Sequence, residues 1–383
     1  MISFDSSMLT AYRSQADALA DTIMQTVLRD HAEMRVNALF EMLAYNDSFE
    51  TAGLPEPLEE FLRNVSQLPS WYDADKVTQG EEVFAKYGME ICIILLCKSL
   101  PECYLCWRGA TVLFETGRLM EQKGDLSRLT RRVAETLQFV VNVMAKGGTA
   151  PNGKGIITAQ KIRLIHATIR TFIRQHPWDT EELGEPINQE DLALTLTTFS
   201  SSVLEGLSLL GIFLSEKEQT AYMHCWRVIG YIMGVDEVFL TDSYNDAKAL
   251  QKAILDVQAG STPENIALAQ SCVDFIEYII PAKHWKGIAP IMMKFFLGKK
   301  YAKMLSIRTR CFSLNTVRFA LVRFALTILG FGEQHSRVVQ GIVSLVGNDV
   351  IQGLVLYFND YKQIQFSLPL SLRETWKLTT PKK

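Results

Sequence analysis

Strong charge is missing from this chain of 383 residues: the net charge is −3 and the sequence pI is near 6.1. That balance argues against a nucleic-acid partner, whose phosphates call for a basic surface. Histidine is sparse. The six present, His31, His166, His176, His224, His284 and His335, form no HExxH and no pair at metal-ligand spacing. No cluster of protein ligands for zinc or non-haem iron is therefore visible. A phosphate loop is missing too, since "NGKG" at 152–155 lacks the GxxxxGK[ST] spacing and a preceding strand. Strand-like alternation is scarce, and no fixed-period repeat suggests a solenoid.

Long uncharged apolar runs are also absent. "VVQGIVSLVGNDVIQGLVLYF" (338–358) has the length of a span but carries Asn348 and Asp349 at its middle. A central Asp costs about 2.5–3.5 kcal/mol on insertion scales. "RFALVRFALTILGF" (318–331) is short and holds two arginines, so both segments are expected as buried helices. The opening "MISFDSSMLTAYRSQADALA" meets Asp5 early and has no signal-peptide run, so a cytoplasmic location is expected. The seven cysteines are odd in number and mostly set in apolar stretches, as buried free thiols would be. Cys103 and Cys106 form a CxxC, but no second pair completes a zinc site and no βαβ pattern suggests a redox one.

What is present is helical periodicity. Hydrophobic residues make up 48% and charged residues 21%, ample for a core. Breaks such as "GLPEPLEEF" (53–61), "LPSWYDAD" (68–75), "GGTAPNGKG" (147–155) and "HPWDTEELGEPINQED" (176–191) separate segments of helical length. Asn188 is placed to cap "QEDLALTLTTF". The expected fold is all-α, a single large multi-helix domain with globin-like packing. "IMMKFFLGKKYAKMLSIRTR" (291–310) has six basic residues and no acid. It reads either as a solvated surface helix or as a peripheral contact with an anionic membrane.

"KIRLIHATIR" (161–170) puts an imidazole where an apolar residue belongs. Ile162, His166, Ile169 and Ile173 fall on one helical stripe, and Arg163, His166 and Arg170 are three and four residues apart. Such a histidine is either a hydrogen-bonded core residue or a ligand. One interior histidine suffices for haem, because the porphyrin brings four nitrogens. Flanking guanidinium groups would then suit its propionates.

"RLIHATIR" (163–170) resembles the haem-ligand signature of the latex-clearing-protein, or rubber oxygenase, family, which also includes the membrane-bound oxygenase of mycophenolic acid biosynthesis. "LPSWYDADKVTQGEEVFAKYG" (68–88) resembles its PxW motif, "SLPECYLCWRGATVLFETGRL" (99–119) its next helix pair, and "RRVAETLQFVVNV" (131–143) its arginine-and-threonine helix. "PINQEDLALTLTTFSSSVLEGLSLLG" and "EKEQTAYMHCWRVIGYIMGV" (216–235) follow in the same order. The resemblance implies an oxygenase domain over 41–310, preceded by a helical extension at 1–40 and followed by apolar helices at 311–383 packed on the same domain. It also implies that the helices surround a pocket for non-covalent haem b.

His166 is then the proximal iron ligand, with Arg163 and Arg170 beside the haem. The family's distal RxxKT helix reads Arg132, Val133, Ala134, Glu135, Thr136 here. Arg132 and Thr136 match, while Glu135 stands in place of the lysine that can fill the sixth iron position. The reaction implied is dioxygen-dependent cleavage of an isoprenoid double bond in an apolar substrate, aided by a carboxylate base. Counting back from Arg132 puts the family's acidic position at Thr116, beside Glu115. One residue is about 100° of helix rotation, so Glu115 serves only with a register shift, and Glu135 is its rival. In the same family context His224 is expected as a hydrogen-bonded core residue, with Trp226 packing and Arg227 pairing around it. The alternative to the enzyme is a helical protein that binds haem or an apolar ligand without turnover.

Overall fold

The computed structural model describes residues 4–30, 55–115, 127–279 and 286–309. These residues are helical, with one isolated bridge between Cys106 and Ala259 and no strand among them. In chain order the helices are α1 (Ser6–Arg13), α2 (Ala18–Asp30), α3 (Glu56–Val65) and α4 (Ala74–Ile94). A π-helix at Leu95–Ser99 leads into α5 (Leu100–Leu105) and α6 (Trp107–Glu115). Then come α7 (Ser127–Met144), α8 (Lys154–Arg174), α9 (Thr180–Leu183), α10 (Gln189–Phe199) and α11 (Ser201–Leu209). The described chain ends with α12 (Glu216–Ile232), α13 (Tyr244–Gln258), α14 (Pro263–Ile279) and α15 (Ile288–Met304).

Local chemistry sets the helix ends. Asn188 caps α10 as its sequence position suggested, Oδ1 accepting from the Asp191 N–H at 3.0 Å. Ser215 and Glu218 start α12 by reciprocal bonding: the Ser215 N–H donates to Glu218 Oε2 at 2.8 Å and the Glu218 N–H to Ser215 Oγ at 3.3 Å. The turn between α7 and α8 needs Gly147 at φ +76, a conformation that costs other residues strain. Its N–H donates to Glu81 Oε2 at 2.8 Å, so a buried carboxylate on α4 holds the turn that launches α8.

The described residues group into two compact units. Unit 1 draws on Met1–Glu82, Phe139–Thr197 and Thr220–Val257; unit 2 draws on Val83–Gln138, Thr198–Gln219 and the chain from Gln258 onward. In unit 1, α2 packs on α8 and on α3. Arg163 binds Asp17 through Nε at 2.5 Å and Nη2 at 3.0 Å, and Arg170 binds Asp21 at 2.6 Å. Arg13 reaches Glu190 at 2.6 Å and Asp191 at 3.2 Å. The described part of segment 1–40, expected as an extension, is α1 and α2, and both are built into unit 1.

Unit 2 is organised around an unbroken buried run, Met89 to Ser99, covering the end of α4 and the π-helix. A helix enclosed on every side is apolar all round, which "MEICIILLCKS" nearly is. α5, α11 and α15 pack on the π-helix, and α14 packs on α5, α6 and α15. Gly206 lets α11 come close, because a Cβ there would lie 2.5 Å from Ile94 Cγ2.

α15 carries most of the 291–310 segment that was expected at a membrane or on a solvated surface. Met292, Met293, Phe296, Leu297, Ala302, Leu305 and Ile307 are buried, while Lys294, Lys299, Lys300 and Lys303 face out. The apolar side that would enter a bilayer is used inside unit 2, and the helix breaks at Gly298. Among the described residues only Gln189–Leu209 is long and apolar enough to cross a membrane, and 72% of its apolar window is buried. The six described cysteines are free thiols; all but Cys103 are buried. Cys311, His31, His284, His335, and the segments 318–331 and 338–358 lie outside the described residues.

Candidate functional site

α8 enters unit 1 after the Glu81-held turn, and most of its length is enclosed. Its partly open positions in the middle are Thr158, Ile162 and His166, spaced i, i+4 and i+8 on one stripe. His166 is half-buried while Leu164, Ala167 and Arg170 around it are sealed. The helix thus presents its imidazole on a surface that the rest of α8 does not share.

The two arginines pair with acidic residues of their own chain. Arg163 is pinned by both oxygens of Asp17 and donates to the Ile232 carbonyl at 3.1 Å. Arg170 has no exposed surface at all, and its Nε is taken by Asp21. Arg174 shares Asp21 at 2.8 Å and adds Glu185 at 2.6 Å. Carboxylates of this chain are anions that these guanidinium groups meet, while the buried Arg170 Nη2 has no hydrogen-bond partner among the described residues. The reason is packing: the face of α8 that carries them lies against α2. These contacts hold the histidine-bearing helix in place.

A second cluster in unit 1 surrounds the tryptophan of the PxW motif. His224 is 1% exposed, its Nε2 accepting from the Asp73 N–H at 3.1 Å and its Nδ1 lying 3.5 Å from Asp242 Oδ2. Acceptance at Nε2 leaves the ring proton on Nδ1, toward the carboxylate. Arg227 stacks over Trp71 at 4.0 Å and reaches Asp242 at 3.5 Å. The hydrogen bond from His224, with Arg227 and Lys76 nearby, draws the Asp242 pKa down to about 2 against the opposing effect of burial. His224 is thus a hydrogen-bonded core residue, and Trp226, 2% exposed, packs against Phe139 and Tyr222.

The distal candidates belong to unit 2. Arg132, Glu135 and Thr136 lie on one continuous helix, so their i, i+3, i+4 spacing gives them one face. Glu135 and Thr136 are half-buried; the side chains of Arg132 and Glu115 lie outside the described set, as does Thr116. Glu115 is the last residue of α6.

Two unit 2 features were not legible as site residues. Lys98, on the π-helix, is buried against Glu102 and lies 3.2 Å from Glu205; Ser202 donates to Glu102 at 2.6 Å. Burial alone would lower the Lys98 pKa, but these two carboxylates raise it. Next to it Ser99 donates to the Thr198 carbonyl at 2.6 Å, and Cys103 lies 3.3 Å from the Thr198 hydroxyl. The second feature is Glu90, 3% exposed in the buried run. Desolvation raises its pKa to about 7, opposed only by its own backbone N–H. π-helical turns often mark functional sites, the one signal that could have drawn attention here.

Among the described residues no three His, Cys, Asp or Glu gather to hold a bare metal ion. A porphyrin needs one axial side chain from the protein, and the half-buried His166, on a stripe with Thr158 and Ile162, is of the type that serves.

The fold and this site define an all-helical protein with a single histidine offered from its interior. Residues 109–327, more than half of the chain and inclusive of His166, match the family described as ER-bound oxygenase mpaB/B'/rubber oxygenase, catalytic domain, and the chain belongs to that family. It is 26% identical over 263 residues to a rubber oxygenase of Streptomyces sp. (strain K30), an alignment covering 66% of this chain. The match spans 61% of that relative's length. The solved structure of a latex clearing protein in its closed state superimposes with a TM-score of 0.73 at 21% identity, covering 90% of this chain and 91% of that one. That likeness establishes the fold.

Proposed function

We propose that the protein is a haem b-dependent oxygenase that uses dioxygen on an apolar alkene, the reaction being oxidative cleavage of an isoprenoid double bond. The observation that carries the reading is the half-open His166 imidazole within the span that matches the oxygenase family. When bound, haem would supply the iron at which dioxygen is activated. His166 is the residue that would hold that iron. Arg163, Arg170 and Arg174, clamped to Asp17 and Asp21, fix the helix and with it the direction of the imidazole.

In unit 2, Glu135 occupies the sequence position of the family's lysine. A carboxylate in place of an ammonium offers a proton acceptor where the family has a donor. Arg132 and Thr136 lie one turn apart on the same helix face. General-base work requires the carboxylate within hydrogen-bond reach of the substrate proton, so Glu135 and Glu115 are the residues to test.

The visible absorption spectrum of the purified protein tests the reading. A Soret band that shifts with dithionite and again with oxygen is expected, followed by carbonyl products from a polyisoprene oligomer. A haem spectrum without turnover of any isoprenoid alkene would favour a non-catalytic haem protein, and protein without a Soret band after haem reconstitution would overturn the proposal.

A further inference from the structure

From Ile288 to Thr309 the chain holds five basic residues and no acidic one, although the protein as a whole is net −3. Lys294, Lys299, Lys300, Lys303 and Arg308 are all exposed, and none is in an ion pair among the described residues. Exposed cations such as Arg29 and Lys252 have carboxylates at hand instead, Asp30 and Asp256.

The fold gathers these charges on one side of unit 2. Lys299, Lys300 and Lys303 follow the break at Gly298. Their i, i+1, i+4 spacing keeps them within about 100° of helix arc. α15 ends where Ser306 takes φ +54, and the Ile307 N–H donates to the Ala302 carbonyl at 2.8 Å. The chain then doubles back, so that Lys294 Nζ donates to Thr309 Oγ1 at 3.0 Å and Arg308 returns alongside the helix. Met293, Phe296, Leu297, Ala302 and Leu305 are sealed on the inner side, which fixes the charged side outward.

Like charges one helical turn apart repel, and this segment supplies no acid to offset them. A concentrated positive face on a protein that is otherwise acidic is complementary to an anionic partner. Nucleic acid fits poorly. The aromatic rings of the patch are partly buried and engaged, Phe295 edge-on to Phe296 and Tyr301 under Lys300 at 5.0 Å, whereas bases need open rings to stack on. A long polyanion would also meet the acidic remainder of the chain, while a bilayer touches one side only.

We propose that the lysine face of α15, with Arg308, docks the protein on a membrane surface that carries anionic headgroups. The contact is electrostatic and without insertion, because the apolar side of the helix is already used inside unit 2. A bilayer is where an apolar alkene concentrates, so docking brings the protein to such a substrate. The inference itself stands on the charge pattern and does not depend on that reading.

Co-sedimentation of the full-length protein with phosphatidylcholine vesicles, with and without phosphatidylserine, tests the docking apart from turnover. Binding is expected only with phosphatidylserine and should fall steeply from low to physiological salt. Each lysine near an anionic leaflet is worth roughly five-fold in binding, so Lys299→Gln, Lys300→Gln and Lys303→Gln together should weaken it about a hundred-fold. The same three positions changed to Arg keep the charge and should bind as wild type. Equal recovery with neutral vesicles, binding indifferent to salt, or a glutamine variant as tight as wild type overturns the proposal. So does an arginine variant that no longer binds, since charge would then not be what the surface reads. Retention by single-stranded RNA with none by vesicles overturns it as well and makes the face a nucleic-acid surface.

Discussion

Asp17 and Arg163 stand 146 residues apart and meet through two parallel hydrogen bonds, Nε to Oδ2 at 2.5 Å and Nη2 to Oδ1 at 3.0 Å. Both side chains are at least nine-tenths enclosed. The pair fastens the start of α2 to the middle of α8, three residues from His166. Replacing Asp17 by Ala strands a buried guanidinium, and a loss of about 3–5 kcal/mol is expected in urea unfolding. The double variant Asp17→Ala with Arg163→Leu should recover part of that loss, and full additivity of the two single losses would show that the clamp is not what the contact implies.

His166→Ala should purify without haem while its helical circular dichroism is unchanged. Arg163→Leu should instead lower the unfolding midpoint, with haem retained in whatever fraction remains folded. Full haem occupancy in His166→Ala would remove the histidine from the site. Selective loss of haem in stable Arg163→Leu would restore the arginine to it.

Glu90 makes stability depend on pH. Its pKa is about 7 in the folded protein and about 4.3 when unfolded. Below pH 4 both states are protonated and its contribution is fully present. As pH rises toward 7 the unfolded state releases its proton first, so stability falls through that window and levels off above it, by about 4 kcal/mol as an upper figure. Asp242 acts with the opposite sign: its pKa is about 2, and the stability it adds is lost only as pH falls from about 4 through 2. Urea melts of wild type and Glu90→Gln from pH 5 to 8 should therefore diverge, the variant gaining relative stability as pH rises. Parallel curves would contradict the burial of Glu90 as an ionisable group.

Gly206→Ala forces a methyl group to 2.5 Å from Ile94 Cγ2, an overpacking expected to cost about 1–3 kcal/mol. Shortening the partner in Gly206→Ala with Ile94→Val should return part of the loss. If the single variant is as stable as wild type, α11 and α4 are not in the close contact described.

For turnover, Glu135→Gln is expected to keep haem and abolish cleavage of an isoprenoid alkene. Loss confined to Glu115→Gln would assign the base to α6 and make Glu135 a bystander. Wild-type rates in both variants would remove a carboxylate base at either position.

The sequence by itself determined the all-α class and the helix starts, because a helix and its cap are local: Asn188 bonds the N–H of Asp191 three residues on. It also singled out His166, since an imidazole at an apolar position of the 3.6 repeat is a local anomaly. What α8's arginines bind was decided only in three dimensions. Spacing places Arg163 and Arg170 on a helix face, but which helix covers that face depends on packing, and the covering helix is α2 with Asp17 and Asp21 at hand. α15 shows the same limit, because amphipathicity reveals an apolar side without saying whether protein or lipid will cover it. Glu90 is the sharpest case. In "YGMEICIILLCKSL" it is one acid among apolar residues, and nothing local tells whether a neighbour will supply a donor. That depends on every helix that packs around it.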